Sequence, residues 1–156
     1  MERYPDVLPP PLLREGAYQQ VNNLLLDEMA GGNFKSRRRW LGPLPTIKEY
    51  VWRMRPAQAA LFEGWFEHVL GGVSKPFEMN VATPVAGITP HECCFLTDPR
   101  DQASQLSQLL WEYRARVAIK RRAMMDEDTT IAAYFEPYDL EELVARLRTA
   151  VIGYLE

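Results

Sequence analysis

Pro56 and the Gly71-Gly72 pair bracket the segment that most restricts what this chain can become. Proline suits the first position of a helix, where its missing N–H has no intrahelical partner to lose. Glycine accepts the left-handed backbone that ends one. Between them, Leu61, Phe62, Trp65, Phe66, Val69 and Leu70 recur at helical spacing as one wide apolar stripe. The flanking segments alternate instead. In Ile47 to Met54, Tyr50, Trp52 and Met54 share one face, with Glu49 and Arg53 on the other, the pattern of a half-solvated sheet. Trp111 to Lys120 alternates in the same way, with Trp111, Tyr113, Ala115, Val117 and Ile119 together. One helix lying across a sheet of alternating strands is the expected body.

Further strands are expected at Val21–Glu28 and Phe34–Trp40 around a Gly31-Gly32-Asn33 turn. Short strands broken by Pro84, Gly87 and Pro90 follow over Pro76–Leu96, and Asp98–Gln105 reads as a polar loop. The first twenty residues hold Pro5, Pro9, Pro10 and Pro11, a density that prevents helix and central strand alike. They also carry Tyr4, Leu8, Leu12 and Tyr18, so this extended arm is expected to lie across a surface, its own or a neighbour's. After a loop through Asp126-Glu127-Asp128, a helix starts at Asp139, with Glu142 at capping-box spacing. Its apolar face is Leu140, Leu143, Val144, Leu147, Val151 and Leu155.

Three parts follow: an arm over 1–20, a β-rich body over 21–122 and an acidic helical extension over 123–156. Charge supports the second boundary. Residues 123–156 hold two arginines against eight acids, a net −6, so the rest carries +3 of the chain's −3. The 156 residues, 47% of them apolar, suffice for one domain with a real core. No apolar run approaches the roughly 20 residues of a spanning helix, and no membrane contact is expected. Met1-Glu2-Arg3-Tyr4-Pro5 lacks a secretory layout, so folding in a cytoplasm is expected.

Chemistry finds few footholds. Cys93 and Cys94 are adjacent, so in a strand they point to opposite faces and read as small hydrophobes, without a mutual disulfide. Only His68 and His91 could join them on a metal, and no metal site is expected. No phosphate loop, GxSxG elbow or HExxH pair is present. The expectation is therefore no enzyme, with no catalytic residue and no cofactor. Lys35-Ser36-Arg37-Arg38-Arg39-Trp40 could grip phosphates and stack a base. In a strand, however, Arg38 points away from Arg37 and Arg39, and the sequence pI near 5.5 is unsuited to general nucleic-acid binding. A small nucleic-acid-binding module using Arg37–Arg39 remains the alternative from another class, with no specific nucleic acid as the favoured expectation.

The order of several short phrases resembles a family of small phage and prophage minor tail proteins of the lambda-type minor tail protein M kind. More distantly it is similar to the N-terminal part of distal tail proteins. The phrases are Leu8-Pro9-Pro10-Pro11-Leu12-Leu13-Arg14-Glu15-Gly16-Ala17-Tyr18, then Arg37-Arg38-Arg39-Trp40, then Met54-Arg55-Pro56-Ala57-Gln58. Gly71-Gly72-Val73-Ser74-Lys75-Pro76-Phe77 and the Trp111–Ile119 strand complete the series. The resemblance covers about residues 4–122. It implies an α+β fold: a predominantly antiparallel, tail-tube-like β-sandwich or barrel with one helix packed across it, here with a C-terminal helical extension. It also implies a virion protein, assembled in the host cytoplasm as a ring of copies of itself, usually sixfold, at the distal end of the tail tube. Tail tube protein, tip or hub proteins and the tape-measure protein would be its neighbours. A head-to-tail connector or tail terminator ring is the alternative within that class, because related folds serve several stations. The family has no catalytic residues to carry over. Asp98–Gln105 stands as an insertion and 123–156 as an addition. Ring subunits need surfaces that are completed only by a neighbour. The candidates are Tyr4, Leu8, Leu12 and Tyr18 of the arm, Arg37, Arg38, Arg39 and Trp40 of the basic strand, and Glu141, Leu143, Leu147 and Val151 of the last helix.

Overall fold

A computed structural model describes residues 1–12, 18–20, 24–29, 33–38, 44–135 and 139–153. Its strands are β1 (Glu2–Arg3), β2 (Tyr18–Gln20), β3 (Leu24–Met29), β4 (Asn33–Arg38), β5 (Thr46–Met54), β6 (Pro76–Thr83), β7 (Gly87–Phe95), β8 (Ser104–Ser107) and β9 (Leu110–Ile119). Its helices are α1 (Pro56–Gly64), which continues as π-helical turns over Trp65–Leu70, α2 (Glu127–Phe135) and α3 (Leu140–Gly153). The class is α+β. A seven-stranded sheet runs β1-β6-β7-β9-β5-β2, with β8 joining β9 beyond the end of β7, while β3 and β4 form a two-stranded sheet of their own. Every pairing is antiparallel except β1 with β6. The sheet is open, with β1 and β2 at its two ends.

The two alternating segments become the central pair. Trp52 stands opposite Tyr113 and Met54 opposite Trp111, so the faces expected from alternation coincide across β5 and β9. Phe77 on β6 and Phe95 on β7 extend the same face, stacked with ring centroids 4.8 Å apart. α1 lies over it. Pro56 opens the helix, and the Gln58 side chain accepts from the Arg55 N–H at 3.1 Å. Phe62 meets Tyr113 edge-on at 5.2 Å, Trp65 meets Phe77 at 5.6 Å, and Phe66 meets Phe95 at 5.4 Å. Each buried aromatic contributes about 1.5–3 kcal/mol through lost water contact, and each well-angled pair adds roughly 0.5–1.5 kcal/mol.

The helical stripe needs one correction: Leu61 and Val69 are exposed. The π-helical turns explain Val69. Their wider spacing turns Trp65, Phe66 and Leu70 inward together, which rotates Val69 outward. The N–H groups of Gly71 and Gly72 both end on the Phe66 carbonyl, and Gly71 takes φ +79°, the left-handed stop expected of it.

The arm crosses the helix-bearing face from one end of the sheet to the other. At one end Glu2 and Arg3 pair with Phe77 and Glu78, and the Tyr4 N–H donates to the Glu78 carbonyl at 2.8 Å. At the other the Leu12 N–H donates to the Val51 carbonyl at 2.8 Å, on the β5 edge that β2 continues. Extended chain spans about 3.3–3.6 Å per residue, ample for the three strand spacings between. Two expectations are corrected beyond this. The segment after Asp126 is the helix α2 and not a loop, and the polar Asp98–Gln105 segment holds a 3₁₀ turn at Pro99–Gln102 and the start of β8.

Candidate functional site: three candidate surfaces

The arm surface is built from its prolines. They hold the chain extended while Tyr4 and Leu8 turn down onto the core, 8% and 4% exposed. Tyr4 meets Trp65 edge-on at 5.7 Å and Phe62 at 6.5 Å, and its hydroxyl donates to the Pro9 carbonyl at 2.7 Å. Burial pushes the Tyr4 phenol well above its usual range. Among the candidate interface residues, these two side chains pack within their own chain. What the arm presents outward is a shallow cleft of about 210 Å³ between its Pro10-Pro11 stretch and Glu78–Asn80 of β6. Leu12 is half-buried, and Tyr18 sits in β2.

The basic strand lies in the separate hairpin. Leu25 pairs with Arg37 and Leu24 with Arg38, so both arginines belong to β4. Arg39 and Trp40 lie outside the described residues, as do the Gly31-Gly32 part of the turn and Leu155.

The third surface is the C-terminal pair of helices. α2 begins where Asp126 accepts from the Thr129 N–H at 3.0 Å and from its hydroxyl at 2.7 Å, which holds the Asp126 carboxyl below its usual range. It buries none of its residues, yet it carries Ile131, Tyr134 and Phe135, the last two 83% and 76% exposed. Asp139 accepts from the Glu141 N–H at 3.0 Å at the start of α3, while the Glu142 carboxylate, expected to complete a capping box, accepts from Arg146. Leu143, Val144 and Leu147 are half-buried, Glu141 is exposed, and Val151 continues α3.

Side chains with chemical potential are placed elsewhere. Cys93 is in the core, its thiol pushed up to about 12 by burial, and Cys94 is half-buried with its thiol raised for the same reason. Thiols held protonated are poor nucleophiles. Among the described residues, no group of three or more His, Cys, Asp or Glu could hold a metal ion, and no helix is long and apolar enough to cross a membrane.

Sequence reasoning missed two charge clamps. On the solvent face of β9, Glu112 is 4% exposed between Arg53 at 2.9 Å and Arg114 at 2.8 Å. The hydrogen bond from Arg53, then that from Arg114, holds its carboxyl below the usual range. Arg100 ties the 3₁₀ turn to the main helix: it bonds Asp98 and Glu67, each at 2.7 Å, and lies 5.0 Å over the Phe66 ring. The first clamp had a sequence signal, since Glu112 and Arg114 share a face of an alternating strand. The second did not, because it joins residues distant in sequence. Compared with family models, curated proteins and solved structures, the chain matches none of them.

Proposed function

We propose that this chain is a structural subunit of a bacteriophage tail, one of a ring of copies at the distal end of the tail tube that joins the tube to the tip. The observation that carries the reading is α2: a helix with no buried residue that nonetheless exposes Ile131, Tyr134 and Phe135. Surfaces of that kind mark sites for another protein. The order of phrases from the proline-rich arm to the β9 strand supports the tail assignment. A cyclic ring uses two different faces of one subunit, head to tail. The acidic extension is one face, and the body with its net positive charge the other. In this reading neighbouring subunits continue the open sheet into a tail-tube-like barrel or sandwich. Catalysis forms no part of the role, and the residence is the virion.

Reconstruction of the intact particle by electron cryomicroscopy tests it. A closed ring of this chain at the distal end of the tube is the expected result. A ring at the head–tail junction would move it to a connector or terminator station, and absence from the particle would refute the tail assignment. Deleting residues 123–156 is expected to abolish ring formation by the purified protein; rings that persist would remove the extension from the interface.

A further inference from the structure

Among the described residues, a single hydrogen bond joins the C-terminal segment to the sheet, and its acceptor is an imidazole nitrogen. The Ala123 N–H points at His91 Nε2, 3.4 Å away. The other ring nitrogen, Nδ1, lies 2.9 Å from the Thr89 carbonyl oxygen. A carbonyl only accepts, so Nδ1 holds the proton; a backbone amide only donates, so Nε2 offers its lone pair. One neutral tautomer satisfies both neighbours. The segment's own polar contacts are internal, among them Asp126 with Thr129 and Glu142 with Arg146. The Arg148 side chain also lies over Gly87. Both of these contacts fall on β7.

We propose that His91 is a proton-operated latch for the acidic C-terminal segment: neutral, it holds Ala123 against β7, and protonated, it releases it. A second proton on Nε2 would set one N–H against another. The charged groups around the ring come from four parts of the chain. β7 supplies Glu92, on the opposite face and bonded to Lys120 at 3.0 Å. β6 places Met79 opposite His91, with Glu78 next to it in sequence. The turn after β9 supplies Arg121 and Arg122, and Arg148 of α3 stands at the near end of β7. Among the described residues, α2 has none that is fully buried and α3 is half-buried on one side only, so the latch is a large share of what holds them. Acidification would thus free a segment of net charge −6, and this does not depend on ring formation.

Hydrogen exchange of the full chain, corrected for the intrinsic effect of pH, tests the latch by comparing about pH 7.5 with about pH 5.5. Protection at Ala123 and through α3 is expected to fall roughly three- to tenfold at the lower pH, the measure of one lost hydrogen bond. In His91→Gln the side-chain carbonyl accepts at both pH values, so the fall should vanish, whereas His68→Gln should keep it. Equal protection of the wild-type chain at both pH values, or the same fall in His91→Gln, overturns the proposal. A reading that needs no variant comes from the nitrogen shifts of His91 at neutral pH. A proton on Nδ1 is required; a proton on Nε2 overturns it.

Discussion

Two residues concentrate the energetics. Phe62 is fully buried and touches Tyr4, Trp52, Trp65 and Tyr113, the arm and both central strands at once. Phe62→Ala is expected to cost about 3–5 kcal/mol in denaturant unfolding, a large part of the roughly 5–15 kcal/mol that stabilises a domain. Glu112 works by charge. Its carboxyl is held below the ordinary value of 4.5, so its stabilisation is present above that value and is lost as pH falls through the depressed one. Unfolding midpoints of the wild-type chain should drop below about pH 4.5, and Glu112→Gln should flatten that part of the profile. Glu112→Ala, which leaves both half-exposed arginines without their shared partner, is expected to cost about 1–2 kcal/mol at neutral pH. Ordinary alternation made the core faces of β5 and β9 legible in the sequence. Nothing local indicated that Glu112, on the solvent side of β9, would be almost fully buried, because that depends on Arg53 arriving from another strand.

At the scale of elements, legibility followed the strength of local signals. The main helix was announced by Pro56 and Gly71, and both ends are where those residues put them. Its final π-helical turns were not, since helical periodicity assumes uniform spacing and only packing of Trp65, Phe66 and Leu70 on the sheet selects the wider turn. α2 was concealed by composition. Asp126-Glu127-Asp128 reads as an acidic loop, yet Asp126 and Thr129 have the spacing of a helix cap, and the cap is what forms. The arm's extended state was legible from its prolines, but pairing across β6 was not, because two residues of strand carry no periodic signal. Its bonds also allow a contrast in element tolerance. Ala60→Pro, inside α1, should prevent folding as judged by loss of the cooperative transition, costing about 3 kcal/mol or more. Asp6→Pro, at a position whose N–H makes no hydrogen bond within the arm or to the sheet, should shift the midpoint by less than about 1 kcal/mol.

For the whole molecule, the unequal burial of its parts predicts unequal dispensability. A chain ending at residue 122 retains the aromatic core, both edges of the sheet and the arm. It should unfold in a single transition within a few degrees of the full chain by calorimetry, and a collapse of that transition would mean that α3 is part of the core. Removing residues 1–12 should do the reverse, exposing Phe62 and Trp65 and lowering stability by several kcal/mol. The arm has a consequence for how such a chain is made. Glu2 waits for Phe77, and Leu12 waits for Val51. The arm thus leaves the ribosome before the strands it joins, and Tyr4 and Leu8 remain uncovered until much of the sheet has been synthesised behind them. Contacts so distant in sequence form slowly. The prolines in the arm keep that waiting stretch from pairing with any strand it meets too early.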